Sequence, residues 1–275
     1  LKLPVGATVS IEAELQYAGQ RVQGFAAEFA MPLRSTDGLL RHLDEVGREA
    51  LLGLFAPQDL QDRRVLITAG PTREPIDPAR YISNRSSGRM GYALARTARR
   101  RGAAVTLISG PVSLPAPPGV EVIRVTTAAE MAAVVAQQAA TAQIIVKSAA
   151  VADFRPAAYQ QQKIKKRQAE MQLELVKNTD ILLELGRNRR PGQLLVGFAA
   201  ESGNHETEGR RKLTEKNLDM IVVNDILGQQ TGFDVETNQV TLIDRAGSLV
   251  LPLLSKEATA DRIWDKVVTL LGAAA

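Results

Sequence analysis

The sequence predicts an α/β protein with a doubly wound, mostly parallel sheet of Rossmann-like type. From Arg64 onward, short runs of valine, isoleucine and leucine alternate with amphipathic stretches of helical length. This is the pattern of a sheet whose strands are joined by helices. The apolar runs are nearly continuous, as expected for strands that are covered on both faces. A C-terminal β-hairpin and helix, together with a small N-terminal β-hairpin and helix, complete the predicted architecture.

The first 60 residues have a pattern of their own. Polar and apolar residues alternate on both sides of Ala18-Gly19-Gln20, which predicts a β-hairpin within residues 8–33. Leucines at helical spacing then predict a helix over residues 37–55. We therefore predict an N-terminal extension of unknown role over residues 1–60 and a main domain over residues 61–275.

The sequence of the main domain predicts strands and helices in alternation, followed by a final hairpin and helix. The strands are predicted in RVLITAG, AAVTLISG, GVEVIRVT, IIVKSAA, MQLELVKN, LLVGFAA and LDMIVVND. The helices are predicted in SGRMGYALARTARRRG, TAAEMAAVVAQQAA, residues 180–189 and about residues 206–217. A hairpin that turns at Ala246-Gly247 and a helix over residues 256–271 follow.

The composition excludes several kinds of site. The chain has no cysteine, so disulfides, thiolate catalysis and cysteine-ligated zinc are excluded. The two histidines, His42 and His205, are far apart, and we expect no metal site built from protein side chains. The net charge of +4 is mild and fits a small anionic ligand better than a nucleic acid. No apolar run reaches membrane-spanning length and no signal-peptide pattern is present, so we expect a cytoplasmic protein without a membrane partner.

Polar residues gather where the first strand of the main domain ends. The segment from Gly70 to Gly91 contains three prolines and ends in Asn84-Arg85-Ser86-Ser87-Gly88 at the start of a helix. Serine hydroxyls, backbone N–H groups and the positive end of the helix dipole would face one point, which is an anion site on physical grounds. A serine N-cap with a closely packed glycine explains the same residues equally well. The glycine-rich motifs of dinucleotide-binding and P-loop proteins are absent.

Charged residues also follow the later strands. Taken one at a time they are explained as turn caps, as a core aromatic, or as solvated lysines that pair with Glu208 or Glu215. The basic stretch AAYQQQKIKKRQAE, residues 157–170, fits a nucleic-acid patch, a solvated face or a mobile loop over an anion. Besides this basic stretch, the charged, polar and aromatic residues that follow the later strands are Asp153, the segment from Lys177 to Asp180, Phe198, Lys212 and Lys216.

Taken together and in this order, the segments resemble the phosphopantothenate–cysteine ligase family. The segments are ITAGPTREPIDPARYISNRSSGRMG, AAVADFRP with the basic stretch after it, LVKNTDIL, VGFAAES and KLTEKNLDMIVVND. The resemblance covers about residues 60–272, which makes residues 61–275 a ligase domain. It implies that CTP activates the carboxylate of 4′-phosphopantothenate, that pyrophosphate leaves with Mg²⁺, and that the amine of L-cysteine then displaces CMP from the bound phosphopantothenoyl-cytidylate.

The resemblance also implies roles for individual residues. Asn84 carries the acyl-cytidylate through to product, and Lys163 reaches the triphosphate from a flexible flap; these are the two catalytic candidates. Substrate-binding candidates are Arg80, Asn84, Ser86, Ser87, Gly88, Ala149 and Ala150. Nucleotide-binding candidates are Lys147, Ser148, Ala149, Asp153, Lys163, Lys177, Asn178, Thr179, Asp180, Phe198, Lys212 and Lys216. The Mg²⁺ is inferred from the triphosphate, without a protein ligand, and relatives in the family pair as homodimers, which we expect here.

Two departures from the family and two rival functions remain. The residues before the ligase region have no cysteine and do not resemble a flavin-dependent decarboxylase, so we expect no flavin and no decarboxylation. Lys147 stands where many relatives are apolar, so its role is open. A short-chain dehydrogenase would use the pair Tyr159 and Lys163, but the first strand is followed by prolines instead of the glycines of its cofactor turn. A nucleic-acid module would use the basic stretch, but Tyr159 is the one aromatic residue in it.

Overall fold

The computed structural model describes residues 45–165, 171–201, 203–225 and 235–273, together with four short strands near the N-terminus. The chain divides into two compact units, residues 1–57 and residues 58–275. In the first unit, β1 (Val9–Ser10) pairs with β4 (Glu28–Phe29), and β2 (Gln16–Tyr17) pairs with β3 (Gln20–Arg21), both antiparallel. The β2–β3 pair agrees with the predicted hairpin. Helix α1 (Glu45–Phe55) is the described part of the predicted helix, and residues 37–44 lie outside the described residues.

The second unit contains an eight-stranded sheet in which parallel and antiparallel parts are clearly separated. The remaining strands are β5 (Arg64–Ala69), β6 (Arg73–Asp77), β7 (Arg80–Ser83), β8 (Ala104–Ser109), β9 (Glu121–Arg124), β10 (Ile144–Lys147), β11 (Phe154–Pro156), β12 (Leu175–Lys177), β13 (Leu194–Glu201), β14 (Met220–Asp225), β15 (Thr237–Asn238), β16 (Val240–Asp244), β17 (Ser248–Val250) and β18 (Leu254–Ser255). The sheet order is β17-β16-β14-β13-β10-β5-β8-β9. The six strands from β14 to β9 are parallel, and β16 and β17 add to β14 in antiparallel fashion.

Helices cover both faces of this sheet, so the predicted doubly wound α/β fold is confirmed. One buried cluster joins the sheet to α2 and α6, and a second joins its opposite face to α3, α4 and α5. The helices are α2 (Arg89–Arg100), α3 (Ala128–Ala139), α4 (Ile181–Arg187), α5 (His205–Glu215) and α6 (Lys256–Ala273). The predicted C-terminal hairpin and helix are present as β16–β17 and α6.

The strand order places a topological switch point between β5 and β10. The chain leaves β5 for β8 and β9 on one side, and it then returns to form β10 on the other side. In open α/β sheets, the loops that leave the carboxyl ends of two such strands diverge and open a crevice between them. The chemistry of the second unit is therefore expected at this end of β5 and β10.

Two antiparallel ribbons differ from the prediction. The proline-containing segment after β5 folds into the β6–β7 hairpin, where the sequence analysis predicted no strands. Within MQLELVKN only β12 is a strand, and it pairs with β11 to form an arm outside the main sheet. Prolines are compatible with such two-stranded ribbons because their missing N–H can face away from the partner strand.

Helix α6 is fixed to α2 by one aromatic residue and one arginine. Trp264 is fully buried, and its indole N–H donates to the carbonyl of Leu94 (3.1 Å) and the hydroxyl of Thr97 (3.0 Å). Arg101 is also buried and donates to Asp265 (2.9 Å) and, through Nε, to Asp59 (2.8 Å). Within the described residues, no helix is both long enough and apolar enough to cross a membrane.

We expect Trp264→Ala to lower the free energy of unfolding by ~3–5 kcal/mol, because it leaves a large cavity between α2 and α6. Urea denaturation followed by circular dichroism measures the change. Arg262→Ala, on an exposed position of the same helix, is the matched control and should cost less than about 0.5 kcal/mol. Equal losses in the two variants would contradict the role given to Trp264.

Candidate functional site

The carboxyl ends of β5 and β10 are joined by a set of hydrogen bonds. The hydroxyl of Thr68 accepts from the backbone N–H of Ala149 (3.1 Å), and the carbonyl of Thr68 accepts from the hydroxyl of Ser148 (2.7 Å). One step further, the carbonyl of Gly70 accepts from the N–H of Ala150 (2.9 Å). The loop that follows β10 is thereby fixed against the loop that follows β5, at the switch point of the sheet.

The N-terminus of α2 points to the same place. Its N-cap is Gly88, which has a left-handed backbone (φ 78°) and makes no side-chain cap. The sequence had left a serine N-cap and an anion site equally open, and here the cap position belongs to the glycine. Gly91 brings the first turn of α2 close to β5, since a Cβ at Gly91 would lie 2.5 Å from the Cβ of Ala69. Helix N–H groups that lack side-chain caps favour an anion at this end of the helix.

A cavity of about 120 Å³ lies between this helix start and the strand ends. It contains seven of the residues that the sequence analysis named, together with several that it did not name. The named residues in its lining are Ser86, Ser87, Gly88, Ser148, Ala149, Ala150 and Phe198. The others are Arg89, Met90, Gly91, Ala199, Ala200, Asn224, Asn238 and Lys256.

Three polar residues of this lining were missed by the sequence analysis. Asn224, Asn238 and Lys256 are buried, and the side-chain oxygens of both asparagines have no hydrogen-bond partner among the residues that the structure describes. Asn224 is the second-last residue of β14, so the rule that polar residues at strand ends form the site could have found it. Asn238 and Lys256 carry no such signal, because they come from β15 and from the start of α6.

Asn84 follows the β6–β7 hairpin and Arg80 begins β7, and neither belongs to the cavity lining. The side-chain amide of Asn84 donates to the carbonyl of Ala150 (2.9 Å), so Asn84 is attached to the loop after β10. Arg80 forms an ion pair with the buried carboxylate of Asp77 (2.5 Å). Lys163 is exposed, and the residues after Lys165 in the basic stretch, 166–170, lie outside the described residues.

A second group of charges surrounds Lys147, next to the cavity. Asp180 caps α4 by accepting from the N–H of Leu183 (3.0 Å), and it accepts from the ammonium of Lys216 (2.7 Å). Although burial opposes it, the hydrogen bond from Lys216 lowers the pKa of Asp180 below its ordinary value. Lys216 therefore pairs with Asp180, while Glu208 and Glu215 both bind Arg211.

Lys147 itself ends β10 and donates to the carbonyl of Ala149 (2.9 Å). Burial of its ammonium group and the nearby charge of Lys216 lower the pKa of Lys147 to about 8, while Asp180 and Asp153 oppose the shift. At neutral pH Lys147 is therefore mostly protonated and positively charged beside the cavity, but it loses its proton at a lower pH than an ordinary lysine.

The other candidates occupy the arm and the surrounding surface. Asn178 is buried and structural in its contacts: it donates to the carbonyl of Ala152 (2.8 Å) and accepts from Arg155 (3.0 Å). Phe198 packs partly on the core and partly lines the cavity. Lys177, Thr179, Asp153 and Tyr159 are exposed, and Lys212 is half-buried on α5. In the part of the chain that the structure describes, histidine, aspartate and glutamate form no group of three or more that could hold a metal.

Because the pKa of Lys147 is lowered, the free energy of unfolding of the protein should change with pH in the alkaline range. Between about 8 and 10.5 the folded protein has lost a proton that the unfolded chain still binds, so the free energy of unfolding rises with pH in this window. The slope from this group is at most ~1.4 kcal/mol per pH unit. Lys147→Met has no ammonium group to bury, so we expect this variant to be more stable than the parent below pH 8. The difference in the free energy of unfolding between the two proteins should then shrink as the pH rises through the window. Urea titrations at several pH values measure it, and a constant difference between the two proteins would contradict it.

Residues 60–271 match the family described as the DNA/pantothenate metabolism flavoprotein C-terminal domain. The chain is 48% identical over 220 residues to the coenzyme A biosynthesis bifunctional protein CoaBC of Vibrio vulnificus strain YJ016, covering 79% of this chain and 55% of that protein. It is 46% identical over 219 residues to CoaBC of Escherichia coli strain K12, covering 78% and 54%. The chain thus spans about half the length of these curated relatives.

Solved structures show the same architecture. The C-terminal domain of a CoaBC protein superposes with a TM-score of 0.68 at 40% identity, covering 78% of this chain and 99% of that one. A Cab2 mutant in complex with phosphopantothenate-cysteine gives a TM-score of 0.66 at 17% identity, covering 86% and 94%, a likeness of fold alone. From the match over residues 60–271 and the identity to CoaBC proteins, the chain belongs to the DNA/pantothenate metabolism flavoprotein C-terminal domain family.

Proposed function

We propose that the second unit is a phosphopantothenate–cysteine ligase that uses CTP and forms a C–N amide bond. The observation that carries this proposal is the cavity between the start of α2 and the loop after β10. One wall is a helix N-terminus with serines and glycine, which suits phosphate, and Asn84 is attached to the opposite wall through Ala150. CoaBC relatives, which are named for coenzyme A biosynthesis, support the assignment.

The proposed reaction has two steps that need charge neutralisation more than acid–base catalysis. A carboxylate oxygen of 4′-phosphopantothenate attacks the α-phosphorus of CTP, and the bond to pyrophosphate breaks. The amine of L-cysteine then attacks the acyl carbon of the phosphopantothenoyl-cytidylate, loses a proton and expels CMP. Pre-positioned N–H groups and cations stabilise the charge that develops on the phosphate oxygens.

Each group of the site has a place in this reaction. Ser86, Ser87, Gly88 and the buried Lys256 line the cavity, where their N–H groups and the ammonium would hold phosphate oxygens. Lys147, at the end of β10, and Lys216, which pairs with Asp180, would attract the nucleotide. Asn84 donates to the carbonyl of Ala150, and from this position its amide would act on the acyl group of the intermediate. Lys163 would approach the triphosphate from the arm.

Magnesium fits this site as an ion carried by the triphosphate. Asn224 and Asn238 line the cavity, and their amide oxygens, which have no partner within the described residues, could accept hydrogen bonds from the water shell that Mg²⁺ retains. Mg²⁺ would neutralise charge on the departing pyrophosphate. A homodimer remains part of the proposal.

Nucleotide-dependent pyrophosphate release tests the function. The protein is incubated with 4′-phosphopantothenate, L-cysteine and Mg²⁺, and pyrophosphate, CMP and the amide product are measured with CTP and, in parallel, with ATP. We expect release with CTP that requires phosphopantothenate, and product only when cysteine is added. Absence of pyrophosphate release with either nucleotide would refute the ligase assignment.

Asn84→Asp separates the two steps. The substitution replaces an amide donor by a carboxylate that faces the carbonyl of Ala150. We expect pyrophosphate release in a first turnover to continue, while amide formation falls by ~100-fold or more, as for other lost donors at a reacting carbonyl. Mass spectrometry after acid quench should then detect the acyl-cytidylate. Amide formation at the parent rate would remove Asn84 from its assigned role.

A further inference from the structure

We propose that Asp77 is a positioning residue that fastens the segment carrying Lys163 to the β6–β7 hairpin. The inference rests on the proposed ligase function, in which Lys163 serves the nucleotide. It concerns Asp77, the last residue of β6, which was not among the candidate site residues and is not part of the cavity lining.

Asp77 is buried, with 3% of its surface exposed, and both of its oxygens are used. Oδ1 accepts from the backbone N–H groups of Ala79 (2.8 Å) and Arg80 (2.9 Å), which fixes the turn between β6 and β7. Oδ2 accepts from the guanidinium of Arg80 (3.0 Å from Nε) and from the backbone N–H of Ile164 (3.1 Å). A single carboxylate therefore connects a hairpin turn to a residue 87 positions later in the chain.

The attachment of this later segment is two-sided. Arg80 donates through Nη2 to the carbonyl of Ile164 (2.9 Å), so both the N–H and the carbonyl of Ile164 are bound by the Asp77–Arg80 pair. A few residues earlier, the N–H of Gln160 donates to the carbonyl of Ile76 (2.9 Å). Residues 160–164 thus lie along the end of β6, held at both ends, and Lys163 is directly next to the second attachment.

The electrostatics suit a permanent clamp. The hydrogen bond from Arg80 lowers the pKa of Asp77 far below its ordinary value, although desolvation opposes it, and further bonds from Ala79 and Ile164 act in the same direction. Asp77 is therefore ionised across the neutral range and does not act as a pH switch. Hydrogen bonds to a charged acceptor are stronger than those to a neutral one, so the loss of this charge should weaken the hydrogen bond from the N–H of Ile164.

The consequence concerns Lys163, whose side chain is exposed and long. An exposed lysine binds a triphosphate at a lower entropic cost when its backbone is held near the ligand, because its long side chain has many free torsions. Asp77 supplies this restraint through Ile164. A purely structural carboxylate would instead stabilise the hairpin turn and leave the contribution of Lys163 unchanged.

Amide hydrogen exchange tests the attachment without any substrate. Asp77→Asn keeps the size of the side chain but removes its charge, and we expect exchange in the peptide containing Ile164 to accelerate ~10-fold or more. The matched control is Asp244→Asn. Asp244 is likewise a buried turn carboxylate, accepting from Ala246 (2.8 Å) and Gly247 (2.9 Å) and pairing with Lys266 (2.6 Å), at the β16–β17 turn. The control should leave exchange at Ile164 unchanged, and unchanged exchange in Asp77→Asn would overturn the proposal.

A double-mutant cycle tests the link to Lys163. We expect Asp77→Asn to slow CTP-dependent pyrophosphate release by ~10-fold or more in the parent, but by less than about 3-fold in a Lys163→Ala background. Asp244→Asn should leave the rate near that of the parent. An equal loss in both backgrounds would show that Asp77 does not act through Lys163 and would overturn the proposal. Failure of the ligase assignment is recognised separately, because the unmodified protein would then release no pyrophosphate.

Discussion

The hydrogen bonds between β5 and β10 are the interaction on which the rest of the site depends. Thr68 accepts from both Ser148 and Ala149, and the next turn of chain adds the bond from Ala150 to Gly70. These bonds hold together two loops that leave neighbouring strands in different directions. If they were absent, the start of α2 and the loop after β10 would have no fixed separation, and a cavity of about 120 Å³ could not be kept at the strand ends.

Much of the fold could be predicted because its signals are local. Buried runs of valine, isoleucine and leucine announced the parallel strands, and helix α2 was visible from its amphipathic pattern and the glycine that follows it. The anion site expected at Ser86–Gly88 was predicted from a local signal as well, since hydroxyls and glycine stand directly at a predicted helix start, and it stays a prediction. Such features can be predicted from a few neighbouring residues in the sequence.

The remaining parts depend on register and long-range pairing, which a single sequence does not carry. The β6–β7 hairpin is hidden by prolines that favour a loop, and Asp77 looks like any turn aspartate until its contact with Ile164 is known. Asn238 and Lys256 reach the cavity because β15 pairs with β18, immediately before α6. The Lys216–Asp180 pair was also unforeseen, because nearer acids on the same helix were the obvious partners and bind Arg211 instead.

Arg101 has a consequence for the second unit as a whole. Its guanidinium binds Asp59, near the beginning of that unit, and Asp265, on its last helix, so the two ends of a long polypeptide meet at one buried side chain. Ends held in this way do not fray independently, and they belong to the same cooperative element as the core of α2 and α6. This is also the arrangement that favours circular permutation, in which the old ends are joined and new ones are opened at an exposed loop.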